Sequence, residues 1–204
     1  MGQRRGEIRK EEIIRGALDC FLEKGVVETS IEDIRKVSGA SIGSIYHHFG
    51  GKENLALETY LTAIRSYESD YRRVLVENPG AREGIAALVE NHLNWMEKNP
   101  RYTYIIFEMR LDARLFDRKG QRSEIYGSMS RELNNWYQKH QKNGQFRELS
   151  IDLVNAYYWG PLLAYSNQWF ITKNRKQLFK QSIREIPWII WYSFRAENPE
   201  LSAG

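Results

Sequence analysis

The first fifty residues place their apolar side chains at helical spacing in three short bursts. From Arg9, the positions Ile13, Ile14, Ala17, Leu18, Phe21 and Leu22 line one face of a helix that Lys24 and Gly25 close. Residues 1–8, with Arg4, Arg5 and two glycines, have little to bury and read as a mobile arm. Ser30 then caps a second helix, with Asp33 where a capping box usually has Glu or Gln, and this helix ends at Ser38-Gly39. Ser41 caps a third, in which Ile45 and Phe49 fall four apart while Gly43, Ser44, Tyr46 and His47 lie on faces that need no burial. A helix this short is not stable alone, so its neighbours must hold it.

After Gly50-Gly51 the pattern lengthens. Lys52 opens a long helix carrying Leu57, Tyr60, Leu61, Ile64, Tyr67, Tyr71, Val74 and Leu75, stopped by Asn78-Pro79-Gly80. A fifth helix over about 82–98 bears Ile85, Leu88, Val89, His92, Trp95 and Met96. Residues 101–116 hold more apolar side chains than one face can use, which predicts an interior helix. A loop at 117–120 leads to the stripe Ile125, Met129, Leu133, Trp136, Tyr137 and His140; Phe146–Leu149 then reads as extended. Two more helices follow, over about 151–172 with a bend at Gly160-Pro161, and over about 176–195 with Pro187 inside. No strand and no internal repeat is evident. The chain reads as all-α, with a three-helix domain over 1–55 and a six-helix domain over 56–204.

Composition changes this picture only locally. With 204 residues and 42% apolar side chains the chain can bury a core, and a net charge of +4 permits nucleic-acid binding without demanding it. The single Cys20 rules out an internal disulfide framework and a thiolate zinc site, and its apolar neighbours predict a buried thiol. No secretory leader and no membrane-length apolar run is present, so a cytoplasmic protein is expected. All six tryptophans follow residue 90, which sets a lean N-terminal part against an aromatic-rich remainder.

Two short helices joined by a tight glycine turn, with a helix in front to pack on, make a helix-turn-helix whose second member is the recognition helix. These residues resemble the DNA-binding part of TetR-family transcriptional regulators. The resemblance runs through residues 13–25, Thr29-Ser30-Ile31-Glu32-Asp33-Ile34, Ser38-Gly39-Ala40-Ser41, Gly43-Ser44-Ile45-Tyr46-His47-His48-Phe49 and Lys52-Glu53-Asn54-Leu55, covering about residues 9–55. The remainder matches in helix number and length. Ile42 departs from the Lys, Arg or polar residue the family often has there, and points to apolar contact with a thymine methyl group. The resemblance implies a homodimeric repressor on a palindromic double-stranded DNA operator, associated with the bacterial nucleoid through that DNA. It also implies a small effector, bound in the C-terminal domain, that changes the spacing of the two reading heads.

The candidate DNA contacts are Thr29, Ser41, Ile42, Gly43, Ser44, Tyr46, His47 and Lys52; hydroxyls and helix N-terminal amides suit phosphates, and Ile42, Gly43, Ser44 and His47 suit bases. Thr29 serves equally as a capping residue. Trp95, Met96, Tyr102, Phe107, Met109, Met129, Trp136, Tyr158 and Tyr165 lie on helices that would enclose a pocket for a flat or hydrophobic effector, although each alone suits a filled core. Trp169, Ile183, Trp188, Trp191 and Phe194 give the last two helices more apolar surface than a monomer exposes, which predicts a four-helix homodimer interface. No catalytic constellation, metal site or cofactor motif stands out; His92 and His140 are isolated on apolar stripes. The rival readings are the same fold with a protein partner or no effector, and an all-helical enzyme acting on a hydrophobic substrate.

Overall fold

The computed structural model describes residues 2–78, 80–110 and 121–196. Among them it has nine helices: α1 (Gly2–Glu28), α2 (Ile31–Ser38), α3 (Ile42–Phe49), α4 (Lys52–Glu77), α5 (Ala81–Lys98), α6 (Pro100–Arg110), α7 (Gln121–Lys142), α8 (Ile151–Ile171) and α9 (Arg175–Phe194). The only extended pairing among the described residues is an isolated antiparallel bridge between Phe146 and Arg195. The all-α expectation holds.

Two compact units emerge, and the division between them falls within α4. One comprises Met1–Ser66 with Asn99–Ser123, the other Tyr67–Lys98 with Glu124–Gly204. The first unit therefore contains the opening turns of α4 and all of α6.

In the first unit the core is built from Ile13, Ala17, Phe21, Ile34, Ile45, Phe49, Leu55 and Ala56, all buried. Helix α1 begins well before the expected Arg9, so residues 2–8 are helical rather than a free arm. A polar segment with no β-branched run can extend a helix without offering the apolar period that would announce it. Gly25 does not end α1 outright: its backbone (φ 78, ψ 162) breaks the helix, which resumes to Glu28. That conformation is open essentially to glycine alone. A second glycine lets α1 and α2 approach, because a Cβ at Gly16 would lie 2.7 Å from the Ser38 Cβ and 3.0 Å from its backbone.

Helix α6 packs on α1, and Arg101 bonds Asp19 there. The expectation of an interior helix fails for its described part, where only Thr103 and Ile105 are buried. The predicted continuation to residue 116 and the loop at 117–120 lie outside the described residues.

In the second unit α9 packs on α5 and α8. Tyr137 stacks on Phe146 at 4.9 Å, and Phe194 meets Tyr137 edge-on at 4.9 Å, so the last residue of α9 is part of this unit's core. Helix α8 runs continuously through Pro161, and α9 through Pro187.

Candidate functional site

The recognition helix is fixed by its caps. Ser41 accepts the Ser44 amide at 3.1 Å at one end, and Gly50, in the left-handed region at φ 74, donates its N–H to the Tyr46 carbonyl at the other. Its partner α2 is held by a reciprocal capping box in which Ser30 accepts from the Asp33 amide and Asp33 accepts from the Ser30 amide. Lys24 reaches the same Asp33 at 2.8 Å. Hydrogen bonds from Lys24 and Ser30 hold the Asp33 carboxyl well below the usual carboxylate range. These bonds tie the end of α1 to the start of α2 and leave α3 with one buried face, Ile45 and Phe49.

The opposite face of α3 is open. Ser41, Ile42, Gly43, Tyr46 and His47 are exposed, Ile42 by 44% and Tyr46 by 52%, and Ser44 is half-buried. Two large apolar or aromatic side chains left in solvent on an eight-residue helix are costly unless another surface covers them. Six of the eight expected contacts thus lie on α3 and its N-cap, Lys52 opens α4, and Thr29 turns inward. Thr29 is 1% exposed, and its hydroxyl donates to the carbonyls of Gly25 and Cys20 at 2.7 and 3.2 Å. Its side chain closes the α1–α2 elbow. Lys52 also has an internal role, since its ammonium donates to the Val27 carbonyl at 2.7 Å while the side chain remains partly exposed.

The expected effector residues divide between the units. Tyr102 and Phe107 belong to the first, where Tyr102 lines a groove of about 460 Å³ with Lys10, Arg15, Glu58 and Arg65. Trp95, Met96, Met129, Trp136, Tyr158 and Tyr165 belong to the second and are buried there. The side chain of Met109 lies outside the described residues. Trp136 packs against His140 and Phe146. Burial raises the Tyr165 hydroxyl to about 12, with Glu97 adding to the effect.

The second unit also holds a polar cluster within aromatic surroundings that includes residues outside that expected set. His92 faces the Tyr67 hydroxyl through Nδ1 at 3.1 Å and Ser166 Oγ through Nε2 at 3.4 Å. Ser166 Oγ lies 2.8 Å from the Leu162 carbonyl and 3.2 Å from the Met96 sulfur. Tyr67 meets Trp95 edge-on at 5.2 Å, and Trp159 stacks on Tyr71 at 6.0 Å and meets Tyr158 at 4.7 Å. Burial lowers His92 to about 4, so its ring is neutral, and raises the tyrosine hydroxyls of Tyr67, Tyr71 and Tyr158. Tyr71 and Tyr158 are fully buried, yet neither hydroxyl makes a hydrogen bond of ordinary geometry, although Tyr158 lies near enough to Tyr67 to affect its ionisation.

Two of the five expected interface residues face inward. Trp169 is 4% exposed under the Arg175 guanidinium, 4.2 Å from its ring, and Phe194 is fully buried against Tyr137 and Phe146. Both cover their own chain's core. Trp188 is 41% exposed, Ile183 and Trp191 are half-buried, and Ile189 and Tyr192 join Trp188 on the open face of α9.

Among the described residues no group of three or more His, Cys, Asp or Glu side chains could hold a metal ion, and no helix is long and apolar enough to cross a membrane.

Known proteins share both the head and the fold. Residues 13–59 match the family described as bacterial regulatory proteins, tetR family. The HTH-type transcriptional repressor AcnR of Corynebacterium glutamicum is 30% identical over 106 residues, 52% of this chain and 50% of that protein. The chain spans about half the length or less of the curated relatives it matches. Over the whole fold it resembles FadR of Bacillus subtilis, solved with stearoyl-CoA (TM-score 0.74, 16% identity, 90% of this chain and 98% of that one). It likewise resembles the ketosteroid transcriptional regulator KstR2 of Mycobacterium tuberculosis (TM-score 0.70, 20% identity, 93% and 96%). The capped helix pair, its exposed α3 face and the match over residues 13–59 lead to one identification: residues 13–59 form a helix-turn-helix segment that matches the tetR family of bacterial regulatory proteins.

Proposed function

We propose that this protein is a ligand-responsive transcriptional regulator, a homodimeric repressor that reads double-stranded DNA with α3 and answers to a small hydrophobic effector bound in the second unit. The observation that carries the DNA reading is the open stripe of Ile42, Gly43, Tyr46 and His47 opposite the buried Ile45 and Phe49. Small residues at Ser41 and Gly43 allow the helix backbone to come close to a groove floor, and Ile42 is positioned to meet an apolar base edge. Tyr46 suits a phosphate, and Lys52 adds positive charge at the N-terminus of α4. The effector reading is supported by the buried hydroxyl and aromatic cluster, and by the fold shared with FadR bound to stearoyl-CoA and with the ketosteroid regulator KstR2. A dimer is supported by the exposed Trp188, Ile189 and Tyr192 on α9. We read the protein as a binding protein rather than an enzyme.

The test is selection of bound fragments from genomic DNA, followed by titration of the selected operator. Tyr46→Ala should weaken binding to every sequence by about tenfold while leaving the salt slope unchanged, because the phenol is neutral, whereas Ile42→Ala should change which bases are preferred. Unchanged affinity for the Tyr46 variant would remove that residue from the reading face.

A further inference from the structure

Resting on the proposal that α3 reads DNA, we propose that Glu108 of α6 is a positioning residue of the reading head: its carboxyl caps the Val26 amide at the break in α1 and so fixes the elbow that carries α2 and α3.

A helix satisfies its own backbone groups, and Gly25 interrupts that pattern. At φ 78 and ψ 162 it turns the peptide between Gly25 and Val26 out of the helical ladder. Side chains then meet both polar groups of that peptide. The Thr29 hydroxyl donates to the Gly25 carbonyl at 2.7 Å, and the Val26 N–H donates to the Glu108 carboxyl. One residue on, the Val27 carbonyl accepts from Lys52 at 2.7 Å. Val26 is 5% exposed, which leaves little room for water to replace a lost acceptor.

The fit between Gly25 and Glu108 is close. Glu108 Oε1 lies 3.2 Å from where a Cβ on Gly25 would stand, so a side chain there would crowd the carboxyl as well as strain a positive φ. Burial raises the Glu108 carboxyl above its ordinary value, while bonds from the Val26 N–H and the Tyr104 hydroxyl oppose the rise. An apolar residue on this face of α6 would pack on α1 without that desolvation cost, whereas a carboxyl suits a place where an amide needs an acceptor. Helix α6 also bonds α1 through Arg101 and Asp19, an exposed pair outside the elbow. Docking of α6 and capping of the elbow are therefore separable. Because α2 follows the elbow and packs on α3, an altered elbow angle is passed on to the recognition helix.

The experiment compares the full chain with Glu108→Ala, Glu108→Gln and Arg101→Ala. Affinity for the selected operator is titrated, and amide hydrogen exchange is followed by mass spectrometry without DNA. Glu108→Ala should bind the operator about tenfold more weakly and lose exchange protection over residues 26–28, with protection of α4 and α5 kept. Glu108→Gln should recover both to within about threefold, because its amide oxygen accepts the same N–H. Arg101→Ala should bind like the parent. Parent-like binding by Glu108→Ala, or a Gln variant no better than the Ala variant, would overturn the proposal. So would an equal loss in Arg101→Ala, which would assign the effect to docking of α6, or a loss of protection spread evenly over the chain, which would assign it to global stability. A parent that selects no operator, with residues 26–28 still deprotected by Glu108→Ala, would sink the DNA reading and its positioning role and leave only the cap.

Discussion

Gly16→Ala sets two opposing effects against each other within α1. In an exposed helix interior the change would stabilise, since glycine costs about 1 kcal/mol relative to alanine there. Position 16 is not such a site. The new Cβ would lie 2.7 Å from the Ser38 Cβ and 3.0 Å from the Ser38 Cα and amide nitrogen, all closer than packed carbon atoms approach. Two of these three atoms are backbone at the end of α2, next to its Gly39 cap, so no rotamer change relieves the clash. Helix α2 must move away by several tenths of an ångström, at an overpacking cost of about 1–3 kcal/mol. Overpacking outweighs the gain, and the net expectation is a loss of up to about 2 kcal/mol. Because α2 carries α3, operator affinity should fall as well. Gly6→Ala is the control: a glycine of α1 whose Cβ meets nothing within 4 Å should stabilise by up to about 1 kcal/mol. Urea unfolding followed by circular dichroism measures both, with operator titration alongside. A Gly16 variant as stable as the parent, with unchanged DNA affinity, would refute the close-approach account.

Two further predictions concern the second unit. His92 stays neutral to about pH 4, whereas an unfolded histidine takes up its proton near 6.5, so its contribution to stability is complete above pH 6.5 and lost as pH falls toward 4. About 2 kcal/mol should disappear between pH 6.5 and 5, and His92→Gln should flatten that slope; equal slopes in the urea midpoints of both proteins would count against a buried neutral ring. Replacing exposed Trp188 and Tyr192 by Ser should weaken self-association by about 2 kcal/mol in sedimentation equilibrium. Replacing buried Phe194 should lower the melting temperature instead, and the opposite pattern would place the interface elsewhere.

The reading head was legible because its signals are local. Ser30 and Asp33 lie three residues apart, Ser41 bonds Ser44, and Ile45 and Phe49 lie four apart, so each contact is set within about one helical turn. Thr29 shows where that logic stops. It sits in the connection between α1 and α2, where no helical period fixes the direction of a side chain, and its hydroxyl turned inward. Trp169 and Phe194 mark a second limit. Helical spacing identifies an apolar face but not whether the chain's own core or a second chain covers it.

The aromatic cluster marks a third limit, and it also contains the signal that could have exposed it. His92 meets Tyr67 across 25 positions of sequence and Ser166 across 74, so no window of spacing brings the three together. Tyr67 and Tyr71 read as members of an apolar stripe, which they are, and the stripe hides their oxygens. A stripe of this kind packs as well with Phe, which carries no polar group to satisfy. Tyrosine at three buried positions, 67, 71 and 158, is therefore a choice that packing does not require. One of the three hydroxyls is used by His92. Tyr158 adds its hydroxyl to the same cluster beside Tyr67, and the identity of the residue type, rather than its spacing, is what the sequence offered toward a buried polar cluster.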